Sequence, residues 1–192
     1  MDATEMFLIR HGRMHAHVER LPEGLDDRQI RARVHPAVNP LAWLLWHMAR
    51  AEDSTINLLI VDRPQILDSG WGRRLHVSRR DVGTGMTAGE VDELSAQVHL
   101  ASLMEYWRAV GTRTADVVDS LSPADLDEIV DPERIHRFAA QTAAEPARAG
   151  LEHLWQDITK GHFLVWLPLT HNAEHVGQAE VVRGLLGHPG RF

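Results

Sequence analysis

Apolar residues recur at helical spacing in four long stretches of the chain. From about Asp2 to Arg20, Phe7, His11, Met14, His15 and Val18 share one face. A second stretch runs from about Asn39 to Val61, with Asn39 as N-cap and Pro40 in the first helical position. The third runs from about Val98 to Leu121 and stops before a Ser-Pro pair. The fourth occupies roughly 162–186 and ends at Gly187, with Pro189 just beyond. Pro168 lies inside this last stretch and predicts a kink there.

The connections are shorter and less regular. Residues 62–87, "DRPQILDSGWGRRLHVSRRDVGTGMT", are rich in Gly, Pro and Arg and read as a long loop. "TAGE" at 87–90 is a capping box that opens a short helix through about Ala96. "SPADLDEIV" (122–130) and "DPERIHRFAA" (131–140) predict short helices, "EPARAG" (145–150) a breaker, and "LEHLWQDIT" (151–159) one or two helical turns. No segment alternates like a strand. The pattern predicts an all-α fold in a single domain over 1–192. It is a four-helix bundle with an elaborated loop and short helices between helices two and three and between three and four.

Composition narrows the function classes. A formal charge of −7 lacks the basic face that nucleic acid requires. No apolar run approaches the roughly 20 residues that span a bilayer. The N-terminus carries no signal-peptide pattern, so the expected location is cytoplasmic. Of 20 basic residues only Lys160 is lysine. With no cysteine, the chain offers no thiolate, and any metal must sit on His, Asp or Glu.

Histidine is the outlier, at 13 residues. At that abundance about one i,i+4 pair arises by chance, and this is the spacing of two ligands on one helix. The chain has two such pairs, His11/His15 and His171/His175. At about 100° per residue, His171 and His175 fall with Leu164, Leu167, Gln178, Ala179, Val182, Leu185 and Leu186. Asn172, Glu180, Arg183 and Gly184 fall opposite. On helix two, His47 lies in an inward stripe with Leu44, Ala51 and Leu58. An unsatisfied buried polar group costs about 1–3 kcal/mol, so inward imidazoles need either a polar network or a shared metal ion. Two pairs and one further imidazole are candidates on this ground, and spacing does not choose between them.

"NPLAWLLWHMARAED" (39–53), "RRDVGTGMT" (79–87) and "THNAEHVGQAEVVRGLLG" (170–187) together resemble the DinB/YfiT-like superfamily, from about residue 20 onward. The resemblance implies a four-helix bundle, often a homodimer, with a divalent ion (Zn, Ni or Fe) held by His47, His171 and His175. It leaves His11 and His15 as pocket lining. It also implies a thiol S-transferase that uses mycothiol or bacillithiol against a small electrophilic substrate. The other readings are a non-catalytic metal or ligand-binding protein, with Glu174 or His11 closing the site, and a metal-assisted hydrolase or isomerase.

Supporting roles follow from position. Glu174 is placed to orient a ligand imidazole, and Gln178 to touch substrate or a neighbouring helix. Trp71, in the Gly-rich loop, is expected to cover the pocket mouth. Trp43, Trp46, Trp107, Trp155 and Trp166 read as core or dimer contacts. Glu52 and Asp53 lie on other faces of helix two and read as surface or interhelical pairs. Arg73, Arg74, Arg79 and Arg80 read as a solvated run, or as a site for substrate carboxylates.

Overall fold

In the computed structural model, which describes residues 1–143, 147–188 and 190, every long predicted helix is present and the described residues contain no strand. Helix α1 (Ala3–Arg20) opens on Asp2, whose carboxylate takes the Glu5 amide while Glu5 reaches back, a complete capping box. After the short α2 (Asp27–Arg31), α3 (Leu41–Ser54) runs through the interior and continues into a wider π-helical turn, Thr55–Ile60. The next elements are a 3-10 turn (Ile66–Ser69), α4 (Trp71–Arg74), α5 (Ala88–Gln97) and α6 (Leu100–Ser120). Short helices α7 (Pro123–Asp127), α8 (Pro132–Thr142) and α9 (Ala147–Leu154) follow. The last segment is α10 (Lys160–Leu164), a π-helical stretch Val165–His171, and α11 (Asn172–Leu185).

The long helices form a ring in which α6 packs on α1 and α3, and the last segment packs on α3 and closes back on α1. Consequently α3 is buried on every side, from Leu41 to Ser54. Of the surface and interhelical readings of Glu52 and Asp53, burial rules out the surface one: both are 0% exposed, and Glu52 pairs with His11 and His15 of α1. Several boundaries also move. Pro40 rather than Asn39 is the N-cap of α3, because its extended ψ of 149° delays the helix by one residue. Val98 is extended and His99 caps α6, so that helix begins at Leu100. Thr87 and Glu90 do form the predicted capping box. The second half of "EPARAG" opens α9; Glu145 and Pro146, like Pro189, lie outside the described residues.

Both π-helical stretches have local causes. Ser54 and Thr55 hydroxyls donate back to Arg50 and Ala51 carbonyls at 2.8 Å, which loosens the helix there. Pro168 lacks an N–H and crowds the preceding turn, so the last helix widens around it instead of ending. One consequence is that the buried stripe of α11 is rotated by about one residue, roughly 100°, from the sequence expectation. Asn172, Glu180 and Arg183 are buried, Gln178 and Leu185 are exposed, and His171 and His175 sit at the stripe's edge. Arg183 is covered because its guanidinium donates to the Leu21 and Glu23 carbonyls beyond α1.

The long loop after α3 is pinned by a buried ion pair. Arg50 donates to Asp53 (3.1 Å), the Tyr106 hydroxyl (2.9 Å), Gln65 (2.6 Å) and the Arg80 carbonyl (2.6 Å). Asp53 also accepts from the backbone amides of Ile66 and Leu67 at 2.9 and 3.1 Å. Burial opposes the Arg50 charge, but Tyr106 and Asp53 outweigh it and its pKa is raised. Further along, Gly83 takes φ +90°, and a Cβ there would lie 2.7 Å from Trp46 Cζ3. Glycine is what lets this backbone lie flat on the α3 tryptophans.

Candidate metal centre

The loop, α3 and the last helix meet at three imidazoles. His47 is 5% exposed, while His171 and His175 are partly buried one turn apart. His171 Nε2 lies 3.1 Å from His47 Nε2 and 3.1 Å from His175 Nε2. All three point the same nitrogen at one place, and their ligand atoms lie within 4.8 Å of one another.

The other ring nitrogens show which tautomers are present. His47 Nδ1 faces the Val82 carbonyl, which can only accept, so it carries the proton and leaves Nε2 with a lone pair. His175 Nδ1 lies 3.0 Å from Gln178 Oε1 and is protonated for the same reason. His171 Nε2 can donate to at most one of the two lone pairs facing it. Its own Nδ1 is buried with no hydrogen-bond partner among the described residues. Three imidazoles satisfying one another would not leave this arrangement. A divalent ion fits it: Nε2 atoms at about 2.0–2.1 Å from Zn are about 3.3 Å apart in tetrahedral geometry.

The electrostatics agree with neutral, ligand-ready imidazoles. Burial, then the charges of His171 and His175, lower His47 to about 3. Burial and His175 lower His171 to about 4, with the Asn172 side chain acting against them. Burial also lowers His175, partly offset by its Gln178 bond and the Glu174 charge. Between these values and the ordinary 6.5, the unfolded chain binds more protons than the fold does. The stability these groups contribute is therefore full above about pH 6.5 and is lost as pH falls toward 4 and then 3. In metal-free protein the urea midpoint should drop across that window but stay level between pH 7 and 8. A His47→Gln/His171→Gln variant should show a shallower acid slope; an unchanged slope would refute this.

Beside the imidazoles lies a cavity of about 170 Å³, lined by His47, Ala51, Val82, Thr84, Phe138, Thr142, Trp155, Trp166, Leu167 and His171. The wall is mostly apolar. Trp155 and Trp166 thus line the cavity rather than serving only as core, and Trp155 follows α9 rather than lying in a helix. Among the described residues no carboxylate appears in the wall. The wall residues Phe138, Thr142 and Trp155 come from α8 and the end of α9, short segments whose sequence carries no sign of a shared pocket.

Other expected residues lie elsewhere. Trp71 stacks on the Arg74 guanidinium at 3.8 Å and packs against Tyr106, away from the cavity mouth. Three of the four loop arginines are engaged in ion pairs, Arg74 with Glu105, Arg79 with Asp81 and Glu90, and Arg80 with Asp68. Glu174 is exposed and acts on His175 only through its charge, whereas Gln178 holds that ring. His11 and His15 do not line this cavity. Their Nε2 atoms reach Glu52 Oε1 at 2.7 and 3.0 Å, and they border a separate open cleft with Leu8, Gly12, Glu19 and Arg108. Glu52 also accepts from Thr114 (2.7 Å) and Asn172 (2.9 Å). Burial raises its pKa, but His15 and His11 outweigh burial and the carboxyl is held well below its usual range. His11, His15 and Glu52 form a second cluster with metal-ligand spacing. Sequence periodicity gave no sign that Glu52 and Asn172 belong near either cluster.

Among the described residues no helix is long and apolar enough to cross a membrane. No curated protein matches the chain significantly. Its fold is similar to the crystal structure of the conserved protein of locus from Enterococcus faecalis. That similarity has a TM-score of 0.72 at 20% sequence identity and covers 97% of this chain and 99% of that one. The profile of the DinB superfamily matches residues 10–179, most of the chain, and the protein belongs to that superfamily.

Proposed function

We propose that the protein is a metal-dependent thiol S-transferase in which His47, His171 and His175 hold a divalent ion, Zn, Ni or Fe. The observation that carries the reading is the convergence of three Nε2 atoms, two of them fixed as lone-pair donors by the Val82 carbonyl and Gln178. Held by these three imidazoles, a divalent ion would lower the pKa of a small thiol and supply thiolate near neutral pH. The chain has no cysteine, so the sulfur comes from a small cofactor thiol of the mycothiol or bacillithiol kind.

The chain's own residues do the rest. Phe138, Trp155, Trp166 and Leu167 give an apolar wall that excludes water and receives a small electrophile, with His47 and His171 at its edge. Thr84 offers the electrophile a hydroxyl. The Thr142 hydroxyl is already committed to the Phe138 carbonyl at 2.7 Å. Among the described residues the wall carries no carboxylate, so the hydrolase alternative has no carboxylate base there for the attacking water.

Conjugation of mycothiol or bacillithiol to a small aromatic electrophile should proceed with metal-loaded protein. Turnover should stop on chelation and return when the ion is restored. Bound metal with no turnover of either thiol would favour a non-catalytic binding protein instead.

A further inference from the structure

The two histidine clusters are joined by one side chain, Asn172. Its Nδ2 donates to Glu52 Oε2 at 2.9 Å and to the Pro168 carbonyl at 3.1 Å. Both partners are acceptors, and this fixes which end of the carboxamide is nitrogen. Asn172 is 0% exposed, and among the described residues its buried Oδ1 has no donor. The neighbouring residue has the complementary deficit, since the buried His171 Nδ1 has no acceptor among the same residues.

We propose that Asn172 is a positioning residue for the metal ligand His171, its Oδ1 taking the Nδ1–H so that Nε2 presents a lone pair to the ion. This rests on the metal reading of the three imidazoles. The chemistry gives Asn172 a task that neither His47 nor His175 can perform. Without an acceptor at Nδ1, His171 gains most by protonating Nε2 and donating to a neighbouring imidazole. That tautomer has no lone pair for an ion. An acceptor at Nδ1 shifts the balance to the tautomer already set in the other two ligands, as outer partners of metal-binding histidines do.

The second cluster then has a use as the anchor. Glu52 accepts from His11, His15, Thr114 and Asn172, so its hydrogen bonds are complete without an ion. Its ionised carboxylate holds the Asn172 NH2 group and thereby aims Oδ1 away from itself. The series runs from α1 through Glu52 on α3 and Asn172 on α11 to the ligand.

The test is nitrogen-15 NMR of histidine-labelled, metal-free protein near pH 7, together with zinc affinity by competition with a chelator. In wild type, His171 should be protonated at Nδ1, a reading that needs no variant. Asn172→Ala should move the proton to Nε2 and weaken zinc by about 10–100-fold. A Glu52→Gln/Asn172→Asp double variant should recover zinc affinity to within a few-fold. There the glutamine amide donates to the new carboxylate, whose other oxygen accepts from His171. Wild-type protein that binds no zinc would overturn the metal centre and the positioning role together. Normal zinc binding by Asn172→Ala, or Nε2 protonation of His171 in wild type, would overturn the positioning role alone. Two zinc ions per chain, one of them lost in His11→Ala, would make Glu52 a ligand of a second ion and overturn its role as anchor.

Discussion

Wild-type protein is expected to bind one divalent ion at the His47, His171 and His175 centre, and His171→Ala to lose it. His171 Nε2 is within 3.1 Å of both other ligand atoms, so its removal takes away the donor that lies between them and leaves only two. The loss should exceed the roughly 100-fold that removing an outer partner of a ligand costs. Stability gives an independent reading. At 1,000-fold excess over its Kd an ion adds about 4 kcal/mol. At about 2–4 °C per kcal/mol for a chain of this size, that is a rise of about 8–16 °C in Tm. Wild type should show such a rise on adding zinc, and His171→Ala should not. An equal rise in both proteins would remove these three residues from the binding site. Far-UV circular dichroism of the variant separates loss of the ion from loss of the fold.

The second large effect is expected at Arg50, far less conspicuous in the sequence. Arg50→Met should destabilise the protein by about 3–5 kcal/mol, because it leaves the Asp53 carboxylate buried without its cation. In Tm that is about 6–20 °C. Both side chains are fully buried, so solvent does not soften the loss. The same guanidinium holds the Arg80 carbonyl and Gln65, hence the loop whose Val82 carbonyl fixes the His47 tautomer. Metal affinity should therefore weaken in Arg50→Met even under conditions where the variant remains folded. Arg50→Met/Asp53→Asn should recover part of the stability by removing the stranded charge. Urea unfolding measures all three proteins, and a loss below about 1 kcal/mol in Arg50→Met would contradict the role given to the pair.

Where sequence reading succeeded, the information was local. Thr87 with Glu90 caps a helix through bonds spanning three residues, and this cap is legible from the chain alone. Gly187, at φ +81°, follows the last helix as expected. The spacing of His171 and His175 already placed both rings on one helical turn. Errors arose where helical register changes. A wheel drawn at constant angle through Pro168 and the π-helical stretch put Asn172 and Arg183 on the solvent side, and both are 0% exposed. The surface reading of Glu52 and Asp53 failed for a different reason, whereas the interhelical one holds for Glu52. Their charge suggests solvent, and only packing of α3 by helices on all sides supplies enough partners to bury them.

By itself, then, the sequence determined the long helices, the Thr87 capping box, the glycine that ends the last helix, and two histidine pairs at the spacing of ligands on a helix. Only the tertiary structure decided which partner each pair would meet. His47 and Glu52 are five residues apart on α3, so they leave that helix roughly 140° apart. One side of α3 delivers an imidazole to His171 and His175, and another delivers a carboxylate to His11 and His15. Helical periodicity sets the angle between those two side chains. Which helix lies on each side depends on how the long segments pack around α3, a matter of contacts between residues from 37 to 124 positions apart.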